Sequence, residues 1–139
     1  LITQTQKVVM ILKRAQNMAL TGYVPGATRT DYGYGVNIID HSNYRLFIDN
    51  PGSSNYRYDS GDTIIQDFSL PSGIIFDYES DPDCWNIVFS VPLGAVYCNG
   101  TALGTNDAKY LKTKQTTEGR IFYIRINYSG QISIATSQY

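Results

Sequence analysis

The period of the apolar residues changes once along this chain, and that change limits the folds open to it. Up to Leu20 the apolar positions Val8, Ile11, Leu12, Ala15, Met18, Ala19 and Leu20 keep the i, i+3, i+4, i+7 spacing of one buried helical face. Lys7, Lys13, Arg14, Gln16 and Asn17 fill the other side. Thr21-Gly22, followed by Val24-Pro25-Gly26, is a stop signal. The start is less defined: Thr3 and Thr5 are candidate caps, yet Leu1 and Ile2 already belong to the apolar stripe. After Pro25 the period falls to about two.

Strands are expected at Tyr34–Ile39, Tyr44–Asp49, Asn55–Tyr58, Thr63–Leu70, Gly73–Tyr78, Trp85–Val91, Ala95–Cys98, Tyr110–Thr113, Arg120–Tyr128 and Gln131–Ala135. Turn chemistry separates them, as in Asp49-Asn50-Pro51-Gly52, Ser60-Gly61-Asp62, Leu70-Pro71-Ser72-Gly73, Asp81-Pro82-Asp83 and Ser129-Gly130. Short strands joined by tight turns make a largely antiparallel sheet system. The last two runs, across Ser129-Gly130, read as the central hairpin. The expected architecture is α+β, with one long N-terminal helix packed on antiparallel sheets. Residues 1–21 supply the helix, and residues 22–139 supply a head that forms one globular domain with it.

With 139 residues the chain is long enough for one sizeable core without staples. A formal net charge of −1 gives no electrostatic reason to expect nucleic acid or an anionic membrane as partner. No apolar run approaches the roughly 18 residues of a membrane span, and no signal-peptide pattern stands at the front. Twelve tyrosines against one Trp and five Phe favour strands and half-wet surfaces. Charged residues make up 17% of the chain, below the roughly 25% of an average domain, which suits an extracytoplasmic surface. Cys84 and Cys98 flank a hairpin around Pro92-Leu93-Gly94 that brings them to the same end, so a disulfide is the favoured expectation outside the cytosol, with two small buried or half-buried thiols as the alternative.

Convergent catalytic groups do not show in the sequence, so neither an enzymatic activity nor a cofactor is expected. His41, the sole histidine, follows Asp40 in a turn and reads as a solvated turn residue. Two Cys and one His cannot complete a four-ligand zinc site. The run Asp77, Glu79, Asp81 and Asp83 could hold Ca²⁺ on a turn, although its spacing fits no EF-hand and a plain solvated loop accounts for it as well. Lys109, Lys112, Lys114, Arg120 and Arg125 are interleaved with Tyr110, Phe122, Tyr123 and Tyr128. Alternation sends Arg120 and Arg125 to opposite faces, so a solvated face rather than a nucleic-acid strip is expected. Asn99-Gly100-Thr101 and Asn127-Tyr128-Ser129 match the N-glycosylation triplet, which arises readily by chance.

Taken in order, several segments resemble the GspH/FimT family of minor pilin-like proteins. "KRAQNMALTGYVPG" is similar to that family's helix end, "DYGYGVNI" to its Tyr-Gly-Val strand, and "YRLFID" to the strand that follows. "FSLPSGIIF" resembles the Leu-Pro-x-Gly-hydrophobic segment, "IVFSVPLGAV" the Phe-x-x-x-Gly hairpin, and "IRINYSGQISI" the closing hairpin.

The resemblance implies a type IV pilin-like chain whose helix continues upstream into an apolar half, cleaved from a leader and carrying an early glutamate. That half is not in this sequence, and truncation is the expected reason. The implied role is a non-enzymatic minor subunit of a type II secretion pseudopilus or a type IV pilus, placed near the tip. Implied partners are other pilin or pseudopilin subunits, the cytoplasmic membrane before assembly, and a secreted substrate or surface ligand. The head would lie in the periplasm or outside the cell. For contacts on the head the Tyr-rich loops stand out, namely Tyr32, Tyr34, Tyr56 and Tyr58. Two other readings remain open. One is a DNA-binding competence-pilus subunit, although no Lys or Arg follows Arg125. The other is a secreted β-rich adhesin or carbohydrate-binding module.

Overall fold

A computed structural model of the chain describes residues 2–21, 33–50, 56–77, 84–91 and 94–135. Helix α1 runs Ile2–Thr21. Its buried side is Thr5, Val8, Val9, Ile11, Leu12, Ala15 and Ala19, which matches the expected stripe except at its end. Leu20 is 53% exposed, because it stands about 100° round the helix from the buried Ala19, with the end of its side chain beside Gly94. The Thr21 hydroxyl lies within reach of the carbonyls of Asn17 (2.9 Å) and Met18 (3.2 Å) and donates its one hydrogen between them at the helix end.

The strands are β1 Gly33–Ile38, β2 Asn43–Asp49, β3 Thr63–Ser69, β4 Ile74–Phe76, β5 Asn86–Ser90, β6 Val96–Cys98, β7 Thr101–Ala102, β8 Ala108–Gln115, β9 Ile121–Asn127 and β10 Ile132–Ala135. They form two antiparallel sheets. One has six strands in the order β3-β2-β1-β5-β6-β7, and the other has four in the order β10-β9-β8-β4. The architecture is thus α+β with one N-terminal helix and antiparallel sheets.

Some expected elements are corrected. The β9–β10 hairpin does not lie centrally; it builds one side of the smaller sheet, with β10 at the edge. The Asn55–Tyr58 strand does not form: Tyr56, Arg57 and Tyr58 are irregular, and Asn55 lies outside the described residues. Tyr56 has φ 59°, a left-handed conformation incompatible with a strand. Strand β7 carries no alternation the sequence could reveal, being two exposed residues held by pairing to β6.

α1 packs on β1 and β5 of the larger sheet and on β9 and β10 of the smaller one, so a single helix covers the seam between them. Into that seam go Val8, Leu12, Tyr34, Val36, Leu46, Ile87, Phe89, Ile124 and Ile126, all 1% exposed or less. Each fully buried Leu, Ile or Val stabilises the fold by about 1.5–3 kcal/mol. Polar links fix the orientation of the helix. Thr5 bonds Thr113 on β8, Gln16 Nε2 donates to the Gly130 carbonyl, and the Lys7 ammonium lies 5.7 Å from the Phe68 ring centre.

The two sheets are also joined at their rims. The Phe76 N–H donates to the His41 carbonyl (2.8 Å), and His41 Nδ1 lies 2.9 Å from the Phe76 carbonyl oxygen. His41 is therefore a clasp between the β1–β2 turn and β4 rather than a residue merely solvated. Asp40 shapes that turn by accepting the N–H groups of Ser42 (2.8 Å) and Asn43 (2.9 Å). Those bonds and the Asn43 amide hold the Asp40 carboxyl below its ordinary pKa. Cys84 and Cys98 form a disulfide, with Cα atoms 5.2 Å apart.

Candidate functional site

On the face of the larger sheet turned away from α1, alternation places Gly33, Gly35 and Asn37 of β1 between Arg45, Phe47 and Asp49 of β2 and Asn86, Val88 and Ser90 of β5. Phe47 and Val88 are fully buried there, outside the main core. What closes over them is the chain after β2. The Tyr58 ring meets Phe47 edge-on with centres 5.3 Å apart, and the Tyr56 ring stacks on Tyr97 at 3.8 Å. The backbone of this strap is held by side chains of the sheet. Asp49 Oδ2 accepts the Tyr56 N–H (2.9 Å), and Asn86 Oδ1 accepts the Tyr58 N–H (2.9 Å). Asp62 accepts the N–H groups of Asn50 and Asp59.

Of the tyrosines expected to meet a partner, Tyr34 is corrected: it is fully buried on the helix side of β1. The signal was present, because glycines at 33 and 35 reserve the opposite face and leave Tyr34, Val36 and Ile38 in one apolar row. Tyr56 and Tyr58 are half-buried and occupied largely by the protein itself. Burial, with Tyr97 and Asp49 nearby, raises the Tyr56 pKa above the ordinary phenol value. Tyr58 lies under the Arg45 guanidinium at 4.9 Å, and Arg45 is itself paired to Asp67 at 3.0 Å. Tyr32 lies outside the described residues.

Of the acidic run, Asp77 follows β4 and its N–H donates to the Lys112 carbonyl (2.9 Å). Glu79, Asp81 and Asp83 lie outside the described residues, and no group of three metal-ligating side chains occurs among those described. The cleft between the sheets beside Cys84, Trp85 and Asp77 has about 10 Å³ of room, about one water probe and too little for an organic ligand.

The basic residues separate in a way the sequence reading did not reach. The pairs Tyr110↔Arg125, Lys112↔Tyr123 and Lys114↔Ile121 all point to the side opposite the buried Leu111↔Ile124. Lys112, Lys114 and Arg125 therefore share the outer face of the smaller sheet with Tyr110 and Tyr123. Arg120 does lie on the other side, over the Phe122 ring at 5.9 Å. Lys112 and Lys114 of β8 fall in phase with Arg125 through the β8–β9 register, not with Arg120.

On α1 the outward side carries Gln6, Met10, Lys13 and Asn17, with Met10 60% exposed. No helix among the described residues is long and apolar enough to cross a membrane. Comparisons with protein-family models, curated proteins and solved structures return no match to the chain.

Proposed function

We propose that the chain is a non-enzymatic minor subunit of a pilin-like filament, either a type II secretion pseudopilus or a type IV pilus. The observation that supports this is the division of α1. One face is consumed by the subunit's own head, and the opposite face presents Gln6, Met10, Lys13 and Asn17 to the outside. Met10, 60% exposed on that side, contributes little to the subunit's own head and is available to a neighbouring subunit. The ordered resemblance to GspH/FimT proteins points the same way, with the head carried outside the cytoplasm and presented near the tip.

The decisive experiment recovers the protein from its own cells and determines its N-terminus and membrane association. An upstream segment of roughly two dozen apolar residues, enough to span a bilayer, with an early glutamate and a methylated terminal amine, supports the filament role. A mature chain that begins near Leu1 after ordinary signal-peptide cleavage overturns it.

A further inference from the structure

The outer face of the smaller sheet brings three features together. First, Lys114 and Arg125 make no ion pair among the described residues, and Lys112 only lies over the Tyr123 ring at 5.9 Å. Second, Arg125 opens into a cleft of about 270 Å³ bordered by the amide and hydroxyl side chains of Thr105, Asn106, Asn127 and Ser129, with Asp107 and Tyr128 completing its wall. Third, Tyr110 stands directly opposite Arg125 across the β8–β9 ladder and is half-exposed. Among the described residues two acids adjoin the face. The Asp107 carboxylate, which lines the Arg125 cleft, accepts the Gly104 N–H (2.8 Å), and Asp77 adjoins Lys112 at the β4 edge. The three cations outnumber these two.

We infer that this face binds an acidic polysaccharide through its uronate units. A guanidinium fork matches a sugar carboxylate in two parallel hydrogen bonds. Beside it the amides and hydroxyls of the cleft suit ring hydroxyls, and Tyr110 offers an apolar ring face for the neighbouring sugar. Lys112 and Lys114 extend the positive row along β8, two residues apart on the same side, about 6.6 Å at the usual strand rise.

A single-stranded nucleic acid fits less well. Successive bases want rings presented for parallel stacking, whereas Tyr110 and Tyr123 meet edge-on at 89°. The inference does not rest on the filament reading, because it concerns the face of the head turned away from α1.

The test measures binding of the full chain to polygalacturonate, to uncharged dextran and to a single-stranded thymidine oligonucleotide. The expected result is salt-sensitive binding to polygalacturonate alone. Arg125→Gln weakens it by about tenfold or more, as loss of a charge-assisted fork implies, and Lys114→Gln weakens it by a smaller factor. Arg125→Lys also weakens it, since the charge stays and the fork is lost. Thermal melting of each variant matches the parent, which separates lost binding from lost fold. Equal or tighter binding of the oligonucleotide overturns the proposal, as does polygalacturonate binding unchanged in Arg125→Gln, or no binding to polygalacturonate at all.

Discussion

Thr5 on the helix and Thr113 on β8 share a hydrogen bond of 2.6 Å between fully buried hydroxyls, across 108 residues of sequence. It is a polar contact set in an apolar seam, so its removal is not symmetrical. Thr113→Val leaves the Thr5 hydroxyl buried without this partner and destabilises the fold by about 1–3 kcal/mol. The double change Thr5→Val with Thr113→Val restores matched apolar surfaces and costs less than the two single changes added together. Urea unfolding of the four proteins measures the coupling, and strict additivity would refute it.

Gly35 lies where β1 passes beneath Phe47 and Val88. A Cβ there would stand 2.6 Å from the Ile87 carbonyl oxygen, 2.8 Å from Val88 Cγ2 and 3.0 Å from Phe47 Cε1. The first of these is backbone and cannot swing aside. Gly35→Ala is expected to cost at least about 1–3 kcal/mol, the usual penalty of forcing extra volume into packed structure. The strap over Phe47 should loosen with it, read as faster amide exchange at Tyr58.

How far the sequence could be read follows from which residues carry a period. Val8, Leu12, Ala15 and Ala19 repeat at helical spacing, and Ile124 and Ile126 alternate, so both elements were legible. Tyr56 has the composition of a strand residue, but its conformation is set by Asp49, seven positions earlier, through a side-chain bond that no pattern announces. Tyr34 was placed on the surface because tyrosine suits wet sites, although its glycine neighbours mark it as inward. The basic face was hidden for a different reason. Lys112 and Arg125 are thirteen residues apart, and only the β8–β9 register, which turn lengths do not reveal, puts them on one side.

Cys84 and Cys98 close a 14-residue separation across the β5–β6 hairpin. In the chain-entropy account a loop of that size is stabilised by about 3 kcal/mol. The oxidised protein should therefore melt several degrees above the Cys84→Ser, Cys98→Ser double variant. Mass mapping without reductant should recover the two cysteines in one linked peptide pair, and free thiols in protein from an oxidising compartment would contradict the pairing.

Tyr44 is fully buried between Phe68 and Phe76, and its hydroxyl has no hydrogen-bond partner among the described residues. Burial disfavours the phenolate and pushes its pKa up to about 12, from an ordinary value of 10.0. The sign follows from the raised value. The unfolded chain ionises first, so this contribution to stability is fully present below pH 10 and is lost as the pH rises toward 12. Tyr44→Phe removes both the orphaned hydroxyl and the ionisation. It should match or exceed the parent's stability at neutral pH and flatten the alkaline loss, read from melting temperatures across that window.

The filament reading makes a separable demand on the two sides of the helix. Leu12 is fully buried in the seam, so Leu12→Ala should cost about 2–5 kcal/mol and take function away only by unfolding the head. Met10 is 60% exposed and touches little of its own domain, so Met10→Gln should leave stability within about 0.5 kcal/mol of the parent. If the outward side meets a neighbouring subunit, that silent change should still reduce recovery of the protein in filaments sheared from cells, and Met10→Cys should cross-link to a partner there. A folded Met10→Gln protein that assembles like the parent, with no cross-link from Met10→Cys, would confine α1 to its own head and remove the observation on which the filament role stands.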